Sequence, residues 1–240
     1  NEMTKQGILY GVGVGPGDPR LMTYLAVDTI QKCPVIAVPA DGKENAVSYK
    51  IASGIVENLD EKECLNLTTP MTKDKAVLNA AYQAASNQII EQLEQGKDVA
   101  CLTLGDPTIY STYIYIHRLV KAKGYETEIV NGIPSFCAAA AISKIPLTAW
   151  DEDLVIAPVR KNNAADLEKL LTEHENVVLM KPSTDSEALV SAIQASGREN
   201  SFVLVEKAGT KEQRLIREYQ TLKEEPVPYL SLMILKSQKQ

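Results

Sequence analysis

The sequence predicts an α/β protein of two domains, the first built on a mainly parallel sheet and the second on a mixed one. Three observations carry this. Short, fully apolar runs such as Val35-Ile36-Ala37-Val38 alternate with longer segments of helical periodicity through the first 145 residues. Strands without polar alternation suit burial on both faces, as in parallel strands joined by right-handed helical crossovers. Beyond residue 150 the alternation continues, but it ends in two strand-like runs joined by a proline-bearing connection, which predicts their pairing.

Taken in order, Gly7 to Gly13 reads as a strand, and Pro19 to Lys32 as a helix with Asp18 as N-cap and Pro19 at its first position. Val35 to Val38 is a strand, and Val47 to Leu59 and Lys73 to Gln95 are helices. Asp98 to Leu104 is a buried strand, followed by a turn and a helix over Ile109 to Lys123. Glu126 to Val130 is a strand, and Pro134 to Ser143 a short alanine-rich helix. The second half offers strands at Asp153 to Ala157, Asn176 to Met180 and Phe202 to Glu206, with helices at Ala164 to Leu171 and Ser186 to Ala195. Arg214 to Glu218 and Tyr229 to Leu235 complete it as the expected strand pair. A linker near Ile145 to Glu152 divides domains 1–145 and 146–240.

Composition narrows the function classes. Hydrophobic residues make up 45% and charged residues 23% of the 240, as in ordinary globular domains. No apolar run reaches the ~18 residues of a membrane span, and the polar Asn1 to Gln6 does not read as a signal peptide. The net charge of −6 argues against nucleic acid as a partner, which needs a basic face. Cys33, Cys64, Cys101 and Cys137 are scattered without a C-x-x-C pair, so neither a protein-bound metal nor a disulfide framework is expected. A cytoplasmic setting without membrane attachment fits these features.

Three segments carry chemistry. Gly11-Val12-Gly13-Val14-Gly15-Pro16-Gly17-Asp18-Pro19 lies between a strand and a helix, where glycines let the backbone turn sharply and approach a ligand. It is not a dinucleotide loop: counting six from Gly11 reaches Pro16, and six from Gly13 reaches Asp18, whose charge would repel a pyrophosphate. The Walker lysine is also missing. Leu104-Gly105-Asp106-Pro107-Thr108-Ile109-Tyr110 leaves a buried strand at its carboxyl end, where open α/β sheets bind ligands. There Asp106 is either a base and acceptor or a helix cap together with Thr108. Gly132-Ile133-Pro134-Ser135 opens the alanine-rich helix, whose small side chains allow close packing of a ligand or of another helix.

Together these strings, with Val205-Glu206-Lys207-Ala208-Gly209-Thr210-Lys211-Glu212-Gln213-Arg214, resemble the tetrapyrrole (corrin/porphyrin) methylase family in order and spacing. Gly105 to Ile116, Val177 to Ser183 and Ala208 to Arg214 are most similar to its branch acting on C-20 of precorrin-2 or cobalt-factor II, in cobalamin biosynthesis. The resemblance implies the tetrapyrrole-methylase fold, a homodimer, S-adenosylmethionine as methyl donor, S-adenosylhomocysteine as product and a small-molecule tetrapyrrole as acceptor. By motif position it implies cofactor contacts at Pro16, Leu104, Gly105, Asp106, Ile109, Pro134, Ser135, Met180 and Ala208. One departure stands out: the family's P-G-I-T-S string reads Asn131-Gly132-Ile133-Pro134-Ser135 here, so the threonine hydroxyl is missing.

Transfer from a sulfonium asks mainly for alignment and exclusion of water, and Asp106 is the candidate base for the proton left on the acceptor carbon. His117 reads as structural, and Tyr110 and Tyr113 as core or as stacking surfaces for a flat ring. Lys50, Arg160, Lys161, Lys181 and Lys207 are either solvated cations or partners for acceptor carboxylates. Open alternatives are methylation at another corrin carbon or of uroporphyrinogen, and a non-catalytic tetrapyrrole- or cofactor-binding protein.

Overall fold

Five parallel strands form the first sheet: β1 (Leu9–Gly13), β2 (Val35–Val38), β3 (Glu63–Asn66), β4 (Val99–Thr103) and β5 (Thr127–Val130), in the order β3-β2-β4-β1-β5. This computed structural model describes residues 5–236. Helices α1 (Tyr24–Lys32) and α2 (Val47–Ser53) cover one face, burying Ala26, Ile30, Ile51 and Ala52 against Val12, Ile36, Ala100 and Leu102. Helices α3 (Lys75–Glu94) and α4 (Tyr113–Ala122) cover the other, where Ile89, Leu93, Ile116 and Val120 meet Leu9, Val35, Ala37 and Val99. Burial on both faces explains the unbroken apolar character of β2 and β4.

The strand order brings two loops together. β1 and β4 are neighbours, with Gly13 opposite Thr103. The chain leaves β1 towards β2 on one side, and leaves β4 towards β5 on the other. Each connection passes the other's strand, and both begin at the strands' carboxyl ends, where open α/β sheets place ligands. The two glycine-bearing motifs occupy those two connections.

Local chemistry shifts some boundaries. The helix expected from Pro19 to Lys32 breaks in two: a 3-10 turn at Pro19–Leu21, capped by Asp18, and then α1. Between them Met22 is extended and buried, and the Thr23 hydroxyl accepts from Ala26 N at 3.0 Å, restarting the helix. α2 stops at Ser53 rather than Leu59, with Gly54 as its C-cap, packed where a Cβ would stand 2.5 Å from Pro19 Cγ. β3 escapes the sequence pattern because it is only partly buried.

The second sheet has the order β6-β7-β10-β8-β9, built from β6 (Leu154–Pro158), β7 (Asn176–Met180), β8 (Phe202–Glu206), β9 (Arg214–Ile216) and β10 (Ser231–Leu235). β6 and β7 are parallel; the remaining pairs are antiparallel. The expected pairing of the last two strands does not form. Both instead flank β8, and α8 (Tyr219–Glu224) lies between them in the chain. α6 (Ala164–Glu173) and α7 (Ser186–Ala195) bury Leu167, Leu171, Leu189 and Ile193 in one core with Val177, Leu179, Leu204 and Met233.

Compactness divides the chain into one unit running to Pro134 and one from Ser135, because α5 (Ser135–Ser143) packs on β10 and β8. Among the described residues no helix is long and apolar enough to cross a membrane.

Candidate active site

Three chain segments converge where β1, β4 and β5 end. Gly15 and Gly105 exchange backbone hydrogen bonds, N to O, at 3.2 and 2.8 Å. Both have positive φ, +76° and +67°, which glycine adopts without strain. Gly132 arrives from β5 so closely that a Cβ there would lie 2.1 Å from Gly105 O; one on Gly13 would lie 2.6 Å from the same oxygen. Any side chain at Gly13 or Gly132 would therefore push these loops apart.

Asp106 locks the junction. Its side chain is 5% exposed, and both oxygens are occupied. Oδ1 accepts from Thr108 N at 2.8 Å and from the Thr108 hydroxyl; Oδ2 accepts from Asn131 Nδ2 at 3.0 Å and Gly132 N at 3.1 Å. Burial alone would raise its pKa, but the donors on Thr108, Asn131 and Gly132 outweigh it and hold the carboxyl below its ordinary value. Asn131 extends the junction: its carbonyl accepts from the Thr23 hydroxyl at 3.4 Å. Asn131 and Thr108 were missed as site residues by sequence reasoning, although both sit inside recognised strings.

Of the anticipated contacts, Pro16, Leu104, Gly105, Asp106 and Ile109 fall on the two connections leaving β1 and β4. Leu104 is 39% exposed, directly after five buried strand residues, and Ile109 is half-buried. Glycines without side chains, beside these apolar residues, suit a compact ligand with an aliphatic part. Tyr110, at φ +47°, adds a backbone state that costs on the order of 1–3 kcal/mol and clusters at functional sites. Pro134 lacks an N–H and precedes α5, of which Ser135 is the first residue.

Met180 and Ala208 belong to the second unit. Met180 ends β7, Ala208 follows β8, and β10 runs between those strands with Leu232 opposite both Met180 and Val205. The residues after these strand ends, Lys181 and Lys207, both have positive φ, 54° and 46°.

A profile of the tetrapyrrole (corrin/porphyrin) methylases matches residues 8–223. The chain belongs to this family. Within the tetrapyrrole methylases it is 40% identical over 190 residues to the probable cobalt-precorrin-2 C(20)-methyltransferase of Methanocaldococcus jannaschii, covering 79% of this chain and 77% of that protein. The crystallised cobalt precorrin-4 methyltransferase superposes with a TM-score of 0.77 at 22% identity, covering 95% of this chain and 94% of that one. A uroporphyrin-III C-methyltransferase from Thermus thermophilus, solved with S-adenosylhomocysteine, gives 0.69 at 20% identity over 96% and 97%. These likenesses establish the two-sheet tetrapyrrole-methylase fold.

Burial shifts several titratable groups around the first unit's sheet. The Tyr113 hydroxyl lies 3.2 Å from His117 Nδ1 and donates to Glu128 O at 3.4 Å. Burial, with the Cys101 thiol nearby, raises the Tyr113 pKa; burial, then Lys121 and Arg118, lowers that of His117. Burial pushes the Cys33 and Cys101 thiols up to about 12. Gly11 is required here, since a Cβ would stand 2.1 Å from the Tyr113 ring. Among the described residues no group of three or more His, Cys, Asp or Glu side chains could hold a metal ion.

Proposed function

We propose that the chain is an S-adenosylmethionine-dependent C-methyltransferase that methylates C-20 of precorrin-2 or cobalt-factor II in cobalamin biosynthesis. The observation that carries this is the glycine junction of Gly13, Gly15, Gly105 and Gly132 at the carboxyl ends of β1 and β4. The relative from Methanocaldococcus jannaschii, a probable cobalt-precorrin-2 C(20)-methyltransferase, supports the choice of acceptor carbon.

S-adenosylmethionine supplies a methyl group already activated by its sulfonium charge. The residues expected to bind it are Pro16 and the Leu104–Asp106 backbone with Ile109, together with Pro134, Ser135, Met180 and Ala208. The contribution of the protein is alignment, worth up to ~7–11 kcal/mol when the geometry of attack is right. Asp106 acts as the positioning residue: with four donors on its two oxygens it has no lone pair left over for the acceptor's proton. The Ser135 hydroxyl takes the place of the threonine that Pro134 replaces.

We further place the protein in the cytoplasm, as a homodimer. Four free cysteines suit a reducing compartment, and the exposure of large apolar side chains such as Met71 suits a subunit contact. Incubating the protein with methyl-labelled S-adenosylmethionine and freshly made precorrin-2 or cobalt-factor II, then locating the label by NMR, tests the reading. Label at C-20 is expected; no transfer to either acceptor overturns it.

A further inference from the structure

Three loops meet at the glycine junction: 14–23 after β1, 104–112 after β4 and 131–134 after β5. Together they carry three charged side chains, Asp18, Arg20 and Asp106. Two of these cancel. Arg20 Nε lies 3.0 and 3.1 Å from the two Asp18 oxygens, and Arg20 Nη2 lies 2.6 Å from Oδ2. Asp106 has no such counter-charge: among the described residues no ion pair includes it. The donors that hold its oxygens, on Thr108, Asn131 and Gly132, are all neutral.

Neutral hydrogen bonds solvate a charge without removing it. They keep Asp106 ionised, and its burial limits screening by water and salt. Nor does the carboxylate cap a helix, since α4 starts at Tyr113 with Thr112 as its N-cap. A buried carboxylate without a counter-charge raises the affinity of a neighbouring site for cations. Methyl transfer from a sulfonium changes the ligand's charge at the reacting atom. The acceptor's electron pair forms the new C–C bond, the C–S pair stays on sulfur, and the acceptor's proton leaves to solvent. The donor therefore enters as a sulfonium cation, and the product departs as a neutral thioether.

We propose that the Asp106 carboxylate is a charge-selecting residue: it favours the cationic donor over the neutral product, so that the product is released once the methyl group has gone. This rests on the proposed binding of S-adenosylmethionine at the glycine junction. It gives the charge of Asp106 a role beyond the anchoring that its hydrogen bonds perform. At an effective dielectric constant of about 20, a unit charge about 10 Å away favours a cation over a neutral ligand by about tenfold or more.

The test compares, by calorimetry, the binding of S-adenosylhomocysteine and of sinefungin, in which an ammonium-bearing carbon replaces the methylsulfonium. The two share their nucleoside and amino-acid parts, so the ratio of dissociation constants isolates the charge at the reacting position. The wild type should bind sinefungin about tenfold more tightly or better. Asp106→Asn should weaken both ligands through the lost anchor, yet bring their affinities to within about twofold of each other. Thr108→Val removes a neutral donor and keeps the charge, so both affinities should fall with the preference intact. Thr108→Lys sets a cation beside the carboxylate from an exposed position and should abolish the preference. Equal affinities in the wild type, a preference that survives Asp106→Asn, or one that Thr108→Val also removes would overturn the proposal. If Asp106→Asn is too unstable to titrate, survival of the preference in Thr108→Lys overturns it. Binding of neither ligand overturns the donor reading as well. A wild type that methylates neither acceptor yet shows the charge preference through Asp106 leaves this proposal standing, and the C-20 reading falls.

Discussion

Replacing Asp106 by asparagine separates a positioning role from a basic one. An asparagine has one acceptor oxygen where the aspartate has two, and its amide nitrogen must face either Thr108 or the Asn131–Gly132 pair. The Thr108 hydroxyl can rotate and the Asn131 amide can flip, so those two partners adapt. The backbone N–H groups of Thr108 and Gly132, 2.8 and 3.1 Å from the carboxylate, cannot, and one of them loses its acceptor. A buried donor left unsatisfied costs about 1–3 kcal/mol, and the surviving bonds lose their charge assistance, so about 2–4 kcal/mol in total is expected. For a chain of this length that lowers Tm by about 4–16 °C. S-adenosylhomocysteine affinity should fall with it, because the Gly105 and Gly132 loops lose their common anchor. The linkage has a definite sign. The folded pKa of Asp106 lies below the unfolded value of about 3.9, so its contribution is fully present above that pH and disappears as pH falls through the folded pKa. Wild-type stability should therefore drop more steeply than that of Asp106→Asn on acidification below about pH 4. Scanning calorimetry and ligand titration measure these effects. A variant with wild-type Tm and ligand affinity but with turnover lowered ~10²–10⁴-fold would refute the reasoning and make Asp106 a base.

Other perturbations have equally direct outcomes. Gly132→Ala places a methyl group 2.1 Å from Gly105 O, and S-adenosylhomocysteine affinity should fall about tenfold or more by calorimetry. Arg198 is buried and donates to the carbonyls of Glu175, Lys236, Leu171 and His174. Arg198→Met should destabilise the second unit by about 3–5 kcal/mol in urea unfolding. At pH 8 the Cys33 and Cys101 thiols, raised to about 12 by burial, should resist a disulfide-exchange reagent until the protein unfolds, whereas exposed Cys137 reacts first; rapid native labelling of all four would contradict the burial.

Periodicity and composition made the parallel sheet legible, because strands buried on both faces leave unbroken apolar runs such as Val99–Thr103. The same signal failed for Glu63–Asn66, an edge strand whose end residues are exposed. It also failed for the pairing of Arg214–Ile216 with Ser231–Leu235, because neighbours in sequence are not obliged to be neighbours in a sheet. Helix starts were misjudged where side chains compete with the helix. At Thr23 a cap restarts the chain, and before Tyr113 the Asp106 carboxylate and Tyr110 backbone keep residues 105–111 out of helix. The glycines at 13, 105 and 132 were visible as strings, but only the fold shows that they touch one another. Asn131 gave no signal of its own, since its role depends on Asp106, 25 residues earlier in the chain.

The same electrostatic pattern bears on how the methyl group moves. A protein that must generate a nucleophile displays one: a thiol or hydroxyl with a lowered pKa, or a base with a free lone pair. Around the first sheet the resolved shifts of the thiols and of Tyr113 run the other way. Cys33, Cys101 and Tyr113 are driven towards their protonated forms, neutral His117 is engaged at Nδ1 by the Tyr113 hydroxyl, and Asp106 stays ionised with all four of its lone-pair directions occupied. Reactivity must then reside in the two reactants, and the protein's share is geometric. That places the sensitivity of the rate in the glycine contacts, where an added methyl group cannot be accommodated without moving Gly105. The substitutions most damaging to turnover should accordingly be those that change loop spacing at Gly13 and Gly132, ahead of those that remove any single ionisable side chain.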